Sequence, residues 1–218
     1  MRRIAVVIAA LLAAFGWVVT PAAAETGVSN AQTYAVTTTS IDGATADRMG
    51  RWDVRIAELS QGDPAVVDAF NRASRTSALD QIEKAKAESN PGEQWNFESA
   101  GTVTFRSIAV AQLILGTHYY GAHPTSYIST VVIDSRGADP IMLTDLFTDA
   151  QSGLDRLSEV TGAEARAENF ENWIPTAEGL EIHFAPYEFG IALPETKIVP
   201  WPAVTDLLTP VMAGIAQA

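Results

Sequence analysis

Two segments near the start of the chain have the composition and spacing of β-strands. Tyr34 to Ile41 is rich in Val and Thr, and Arg51 to Ile56 alternates strictly between charged and apolar residues. Alternation with a period of two puts one face of a strand on a core and the other in water. We therefore expect two strands here, joined by a turn at Asp42-Gly43.

A helical spacing follows the second of these strands. Between Val67 and Ala85, small and apolar residues recur at steps of three or four, which is typical of an amphipathic helix. Asp63 can cap the helix, Pro64 suits its first position, and Asn90-Pro91-Gly92 ends it. The pattern predicts one long helix that covers a face of a sheet.

The middle of the chain is β-rich. Thr102 to Arg106 and Ser107 to Leu115 are nearly continuous in β-branched and apolar residues, as expected of strands inside a sheet. Ser126 to Asp134 repeats this composition. Ser135-Arg136-Gly137 forms a predicted turn, after which the chain returns as a hairpin toward Pro140–Leu143.

The last part of the chain mixes weaker helical and strand patterns. A second helix is expected from Leu154 and is extended to Glu168, strands are expected at Leu180–Phe184 and Lys197–Val199, and a short helix opens at Trp201-Pro202. The order of elements predicts an α+β fold, with a mainly antiparallel sheet packed with one long and two shorter helices.

The first 24 residues have the pattern of a signal peptide. Arg2 and Arg3 precede an apolar run from Ile4 to Val19, and Ala22-Ala23-Ala24 offers a small-residue cleavage site. Cleavage after Ala24 would make the protein secreted or part of the cell envelope, with no stable membrane anchor. The alternative is an uncleaved anchor.

The rest of the chain is divided by composition. Residues 25–33 are polar and unpatterned, and we expect a flexible tail there. An N-terminal α+β subdomain is expected over 34–98 and a C-terminal domain over 99–218.

Charge and cysteine content exclude several functions. The chain has no Cys, which removes disulfides, thiolate metal sites and Cys nucleophiles. Without residues 1–24 it carries 12 basic and 26 acidic residues, and 12 − 26 = −14. This balance disfavours nucleic acid and favours encounter with a cationic partner.

The sequence lacks the common catalytic motifs. It contains no G-x-S-x-G, S-x-x-K, H-E-x-x-H or phosphate-binding loop. A serine hydrolase on another scaffold would use Ser126 with His123, oriented by Asp134 or Asp145. His118 and His123 are poorly spaced for a metal site, and no metal or cofactor is predicted.

One loop stands out as a candidate recognition element. Two aromatic residues, a His and a Pro lie together between two strong strands, in the segment Tyr119–Pro124. Loops held by a rigid scaffold often carry binding residues. A structural turn is the alternative interpretation.

Several segments together resemble the RsiV-like C-terminal domain family. That domain occurs in RsiV anti-sigma factors, in PdaC-type peptidoglycan deacetylases and in mycobacterial secreted immunogenic proteins. The similarity covers roughly residues 100 to 208. The segments that carry it are Tyr120–Tyr127, Leu143–Phe147, Thr176–Leu180, Phe184–Glu188 and Val199–Pro200 before Leu207-Leu208.

The resemblance implies an α+β fold and no shared catalytic residues. Within the family RsiV binds lysozyme, and esterase activity has been suggested for some mycobacterial relatives. We therefore expect a non-catalytic binding protein whose partner is a cationic protein such as lysozyme, and a secreted esterase is the alternative. The expected binding residues are Tyr119, Tyr120, His123, Tyr127, Tyr187 and Glu188.

Overall fold

The computed structural model describes residues 25–217, and its larger layer is a six-stranded sheet. The predicted signal peptide lies outside the described residues. The strands follow chain order across the sheet, β1 to β6, and every neighbouring pair is antiparallel except β3–β4. Their bounds are Glu25–Ser29, Gln32–Ala44, Gly50–Ser60, Trp95–Arg106, Ala109–Tyr119 and Thr125–Asp134.

Helix α1, Pro64–Glu88, connects β3 to β4 and packs on one face of the sheet. Its ends are where the sequence predicts them. Asp63 accepts a hydrogen bond from the Ala65 N–H at 2.8 Å, Pro64 takes the first turn, and the Ser89 hydroxyl donates to the Ala85 carbonyl at 2.8 Å. The helical crossover explains why β3 and β4 alone run parallel.

The second layer covers the opposite face of the sheet. It contains a three-stranded antiparallel sheet and the helix α2, Ala150–Thr161, with four short 3-10 helices in the described chain. Its strands are β7 Trp173–Pro175, β8 Gly179–Phe184 and β9 Glu195–Pro200. No described helix is long and apolar enough to cross a bilayer.

The position of strand β5 between two packed layers explains why its sequence is nearly continuous in apolar residues. Val110 and Ile114 pack beneath α1, whereas Ala109, Ala111 and Leu113 pack against the second layer. Both faces of this strand are buried, as expected of a strand inside a two-sided sheet. The predicted α+β class and the mainly antiparallel sheet are confirmed.

The expected flexible tail at 25–33 is instead a hairpin. Residues 25–29 form β1, and Asn30 and Ala31 adopt positive φ of 48° and 57°, as a two-residue turn between antiparallel strands requires. Ser29 is buried, and its hydroxyl lies 2.6 Å from that of Ser135. Tertiary burial therefore orders a segment that has no local pattern.

Three other boundaries differ from the sequence expectations. Asp42 and Gly43 lie within β2, and the turn to β3 follows at 45–49. Helix α2 ends at Thr161, because Gly162 takes the left-handed conformation that closes a helix. The expected domain boundary at 98/99 falls inside β4, which pairs on both sides within one sheet.

The C-terminal elements are shorter than expected. The predicted helix at Trp201 is one 3-10 turn, Trp201–Ala203, rather than a short α-helix. The predicted return strand at 140–143 reduces to a single bridge between Pro140 and Ile133. Proline lacks the N–H that a longer ladder would need.

A buried glutamine joins β3 to β5 where β4 separates from β3. The β3–β4 ladder ends at the pair Arg55–Ala100. Beyond it the Gln112 carboxamide accepts from the Ala57 N–H at 2.9 Å and donates to the Ala57 carbonyl at 3.1 Å and to the Ser74 hydroxyl at 2.7 Å. A Cβ at Gly101 would overlap the Gln112 side-chain oxygen, so the bridge requires glycine there.

We predict that Gln112→Leu destabilises the fold strongly. The substitution replaces the carboxamide with an apolar side chain of similar size and leaves the Ala57 N–H and carbonyl without partners. Each buried unsatisfied group costs about 1–3 kcal/mol, so the free energy of unfolding should fall by about 2 kcal/mol or more. Urea denaturation measures this. Gln151→Leu on the exposed face of α2 is the control and should change little.

Candidate functional site

The candidate site lies at the tip of the β5–β6 hairpin, where it meets the C-terminal end of α1. The tip comprises residues 119–125, with Gly121 at a φ of 71°. Strand β5 runs antiparallel to β4, so its end returns to the start of β4 and to the segment after α1. We call this group of residues the hairpin tip site.

A buried histidine forms the centre of the hairpin tip site. His118 is 1% exposed, and its Nε2 lies 3.0 Å from the Ser89 hydroxyl oxygen. The Ser89 proton is directed to the Ala85 carbonyl, so we assign the Nε2–H as the donor to Ser89. Burial lowers the pKa of His118 below its usual value, and the nearby Glu88 carboxylate opposes this only in part. His118 is therefore neutral at pH 7.

Tyr127 and Glu88 complete the buried polar group. The His118 Nδ1 lies 3.3 Å from the Tyr127 hydroxyl and 3.9 Å from the Glu88 carboxylate. The Tyr127 hydroxyl donates to Glu88. Burial, followed by this hydrogen bond, raises the pKa of Tyr127 well above its usual value. Tyr127 thus remains a neutral donor.

Aromatic packing fixes the tip against the rest of the fold. The Tyr120 ring stacks on His118 at 5.6 Å between centroids, and the Trp95 ring meets His118 edge-on at 5.5 Å. The Tyr120 hydroxyl donates to Glu93 at 2.6 Å and accepts from the Asn90 N–H at 3.1 Å. The tip is therefore tied both to the core and to the segment that leaves α1.

A pocket of about 350 Å³ opens beside this cluster. Asp47, Ser89, Glu93 and Trp95 line it together with Lys86. Hydrogen bonds from the Thr45 hydroxyl and the Met49 N–H lower the pKa of Asp47 below its usual value. Among residues 25–217 neither Asp47 nor Glu93 forms an ion pair. The pocket therefore carries negative charge.

The structure brings together four of the six expected binding residues. Tyr119 is 46% exposed, His123 is exposed, Tyr120 is half-buried and Tyr127 is buried. Only the first three can touch a partner, and Tyr127 supports them from below.

Tyr187 and Glu188 lie elsewhere, on the loop between β8 and β9. Tyr187 is 71% exposed and borders a separate pocket with Glu164 and Arg166. No hydrogen bond, ring contact or pocket of the described residues includes both this loop and the hairpin tip. The two predicted groups are therefore two different surfaces.

The serine constellation considered from the sequence does not converge. His123 makes no hydrogen bond to Ser126 among the described residues. Asp134 binds Arg136 at the far end of β6, and Asp145 accepts from the Met142 N–H. No three His, Asp or Glu side chains in residues 25–217 gather as a metal site.

Sequence reasoning missed Glu88, Ser89, Glu93 and Trp95. The sequence does contain one signal for the position of His118. It lies an even number of positions from Ile114 and Gly116, which places it on the helix-facing side of β5. The partners of His118 depend on where α1 ends in space, which no local pattern specifies.

Comparison with known proteins supports the fold. No family model and no curated protein matches the chain. Solved structures with a similar fold include two DUF3298 family proteins. A DUF3298 family protein from Bacteroides fragilis has a TM-score of 0.54 at 12% identity and covers 86% of this chain and 98% of its own. One from Pseudomonas aeruginosa has a TM-score of 0.54 at 11% identity and covers 81% of this chain and 96% of its own.

These structures define the class of fold to which the chain is similar. DUF3298 proteins are RsiV-like C-terminal domains, so the resemblance seen in the sequence is confirmed at the level of fold. At this identity the similarity extends to architecture alone.

The burial of His118 leads us to predict how the stability of the fold depends on pH. Since the folded-state pKa of His118 lies below its usual value of 6.5, the unfolded chain binds more protons as the pH falls. The contribution of neutral His118 to stability is present above about pH 6.5 and is lost as the pH falls through its folded-state pKa.

This effect can be measured by urea unfolding at about pH 7.5 and about pH 5. His118→Gln should lose less stability on acidification than the unchanged protein. His123→Gln removes an exposed histidine and should lose as much as the unchanged protein. Equal losses in all three proteins would contradict the assigned role of His118. His183, whose pKa burial also lowers, is present in all three and cancels.

Proposed function

We propose that this is a secreted or cell-envelope binding protein without catalytic activity, and that its partner is a cationic protein such as a lysozyme. The hairpin tip site is the recognition surface. Four features support the proposal: the charge of the chain, the composition of the tip, its rigidity and the position of Ser89. The leader pattern in residues 1–24 supports export.

Charge favours a cationic partner. The net charge of −14 after removal of residues 1–24 would attract such a partner from a distance. At the site, Asp47 and Glu93 lie near the C-terminal end of α1, where the helix dipole also favours cations. Neither nearby lysine pairs with Asp47 or Glu93: Lys84 lies 4.8 Å from the Tyr127 ring, and Lys86, which lines the pocket, binds Glu83 at 2.7 Å.

The aromatic tip can supply contacts that charge alone does not. Tyr119 is a large, exposed side chain at the tip, and Tyr is enriched among residues that dominate binding energy. The stack of Tyr120 on His118 holds the tip in one conformation. A preordered surface loses little conformational entropy when it binds.

The position of Ser89 argues against hydrolysis. Ser89 and His118 have the spacing of a nucleophile and its base, 3.0 Å. However, Ser89 follows the last turn of α1. The helix directs its free backbone carbonyls and the negative end of its dipole toward this position. Developing negative charge on an oxyanion would be destabilised there, and oxyanion sites require donors instead.

A binding experiment tests the proposal. Calorimetry of residues 25–218 with a c-type lysozyme should give saturable one-to-one binding that weakens with salt but persists at about 0.15 M ionic strength, where the screening length is about 8 Å. Tyr119→Ala should weaken binding by about tenfold or more. Tyr187→Ala is the matched control on the other loop and should bind normally.

Other results would contradict specific parts of the proposal. Heat that disappears at about 0.15 M ionic strength would mean that opposite charges attract without a specific interface. Loss of binding in Tyr187→Ala rather than Tyr119→Ala would move the surface to the β8–β9 loop.

A second experiment tests the absence of catalysis. Hydrolysis of p-nitrophenyl acetate by the unchanged protein, Ser89→Ala and Ser126→Ala should be equally slow. A loss of at least about tenfold in either variant would establish a serine hydrolase and favour the esterase alternative.

A further inference from the structure

Strand β6 is the last strand of the large sheet, and one part of its outer edge is open. The Ser135 N–H donates to the Ile108 carbonyl at 3.0 Å, so odd-numbered residues of β6 direct their backbone groups to β5. Even-numbered residues direct theirs outward. At one end the chain itself covers the edge, since the Val132 carbonyl accepts from the Ile141 N–H at 2.8 Å.

The rest of this edge has no partner in the described chain. The outward backbone groups of Ser126, Ile128 and Thr130 make no backbone hydrogen bond to any residue of 25–217. An open edge strand is a template for another strand unless a protein covers it. On this stretch the Thr130 hydroxyl accepts from the Trp173 N–H at 3.2 Å and donates to the Glu171 carbonyl at 3.4 Å, while the backbone groups stay open.

An apolar groove lies along the same edge. It encloses about 400 Å³, with Thr130–Ile133 of β6 at its base. Ala73 and Ser77 of α1 form one wall, and Leu143, Leu154 and Trp173 contribute to the other. The groove can therefore accept an apolar side chain beside the open backbone groups.

The charge of the groove indicates what occupies it. Glu168 and Glu171 are exposed at its rim, and no Lys or Arg lines it. A second copy of residues 25–218 would bring the same carboxylates and a further charge of −14 to the interface. An extended segment with an apolar residue and a neighbouring basic residue matches both features.

We propose that the open edge of β6 binds an extended peptide segment of another protein as an added strand. The backbone of the segment pairs with Ile128 and Thr130, its apolar side chain enters the groove, and a Lys or Arg meets Glu168 and Glu171. The proposal concerns a surface separate from the pocket of the hairpin tip site and does not depend on lysozyme binding.

Peptide titration tests this interaction. The probe is a fluorescein-labelled peptide KTVLVTK, compared with ETVLVTE, added to residues 25–218. We expect saturable binding of the first and at least tenfold weaker binding of the second. Amide NMR should show the largest shifts, with slowed exchange, at Ile128 and Thr130. A KTVLVTK peptide that is N-methylated at alternate residues should not bind.

Protein variants distinguish edge pairing from general attraction. Ile128→Pro removes an outward N–H without removing a bond to β5 and should abolish binding. Val28→Pro makes the same kind of change on β1, at the opposite edge of the sheet, and should not. Glu171→Lys should weaken KTVLVTK at least tenfold, whereas the exposed Glu178→Lys should leave it unchanged. Thermal unfolding verifies that each variant folds.

Specific results would overturn the proposal. Equal binding of the K and E peptides, binding of the N-methylated peptide, or shifts confined to residues away from β6 would each do so. Concentration-dependent dimerisation abolished by Ile128→Pro would assign the edge to a second copy of the chain instead. If Ile128→Pro fails to fold, the measurements with Glu171→Lys and with the N-methylated peptide still test whether a peptide pairs with the edge of β6.

Discussion

The Gln112 carboxamide holds together the part of the sheet on which the rest of the structure depends. The β3–β4 pair is the only parallel pair in the large sheet, and its ladder stops at Ala100. Gln112 satisfies the next backbone groups of β3, at Ala57, and binds α1 through Ser74. One buried side chain thus fixes β3, β5 and α1 relative to each other. The hydrogen bonds of the Gln112 carboxamide therefore contribute strongly to the stability of the fold.

The hairpin tip site follows from that arrangement. With α1 fixed over β5, the end of the helix reaches the end of the strand, and Ser89 meets His118 at 3.0 Å. His118 is buried without a full ion pair. Burial therefore lowers its pKa, and the ring is neutral. The tip therefore stands on a well-packed base in which His118 is neutral and Glu88 carries negative charge, and Asp47 and Glu93 line the neighbouring pocket.

Strand β6 presents two chemically different surfaces. Its start supports the hairpin tip, where Tyr119 and the carboxylates of Asp47 and Glu93 face solvent. Further along, the strand offers open backbone groups and an apolar groove with an acidic rim. The partner proposed for each surface is positively charged, and it is recognised through side chains at the tip and through backbone pairing at the edge.

The sequence by itself determined the strand and helix positions whose patterns are local, including the capped α1 and the two-faced β5, and through them the α+β class. It also singled out Tyr119, Tyr120 and Tyr127 on one hairpin. Tertiary structure decided that residues 25–29 form a strand, that α2 stops at Gly162, and that His118 meets Glu88 and Ser89 while Tyr187 lies apart. Periodicity specifies which face of an element is buried, but it carries no information about which distant residue packs against that face.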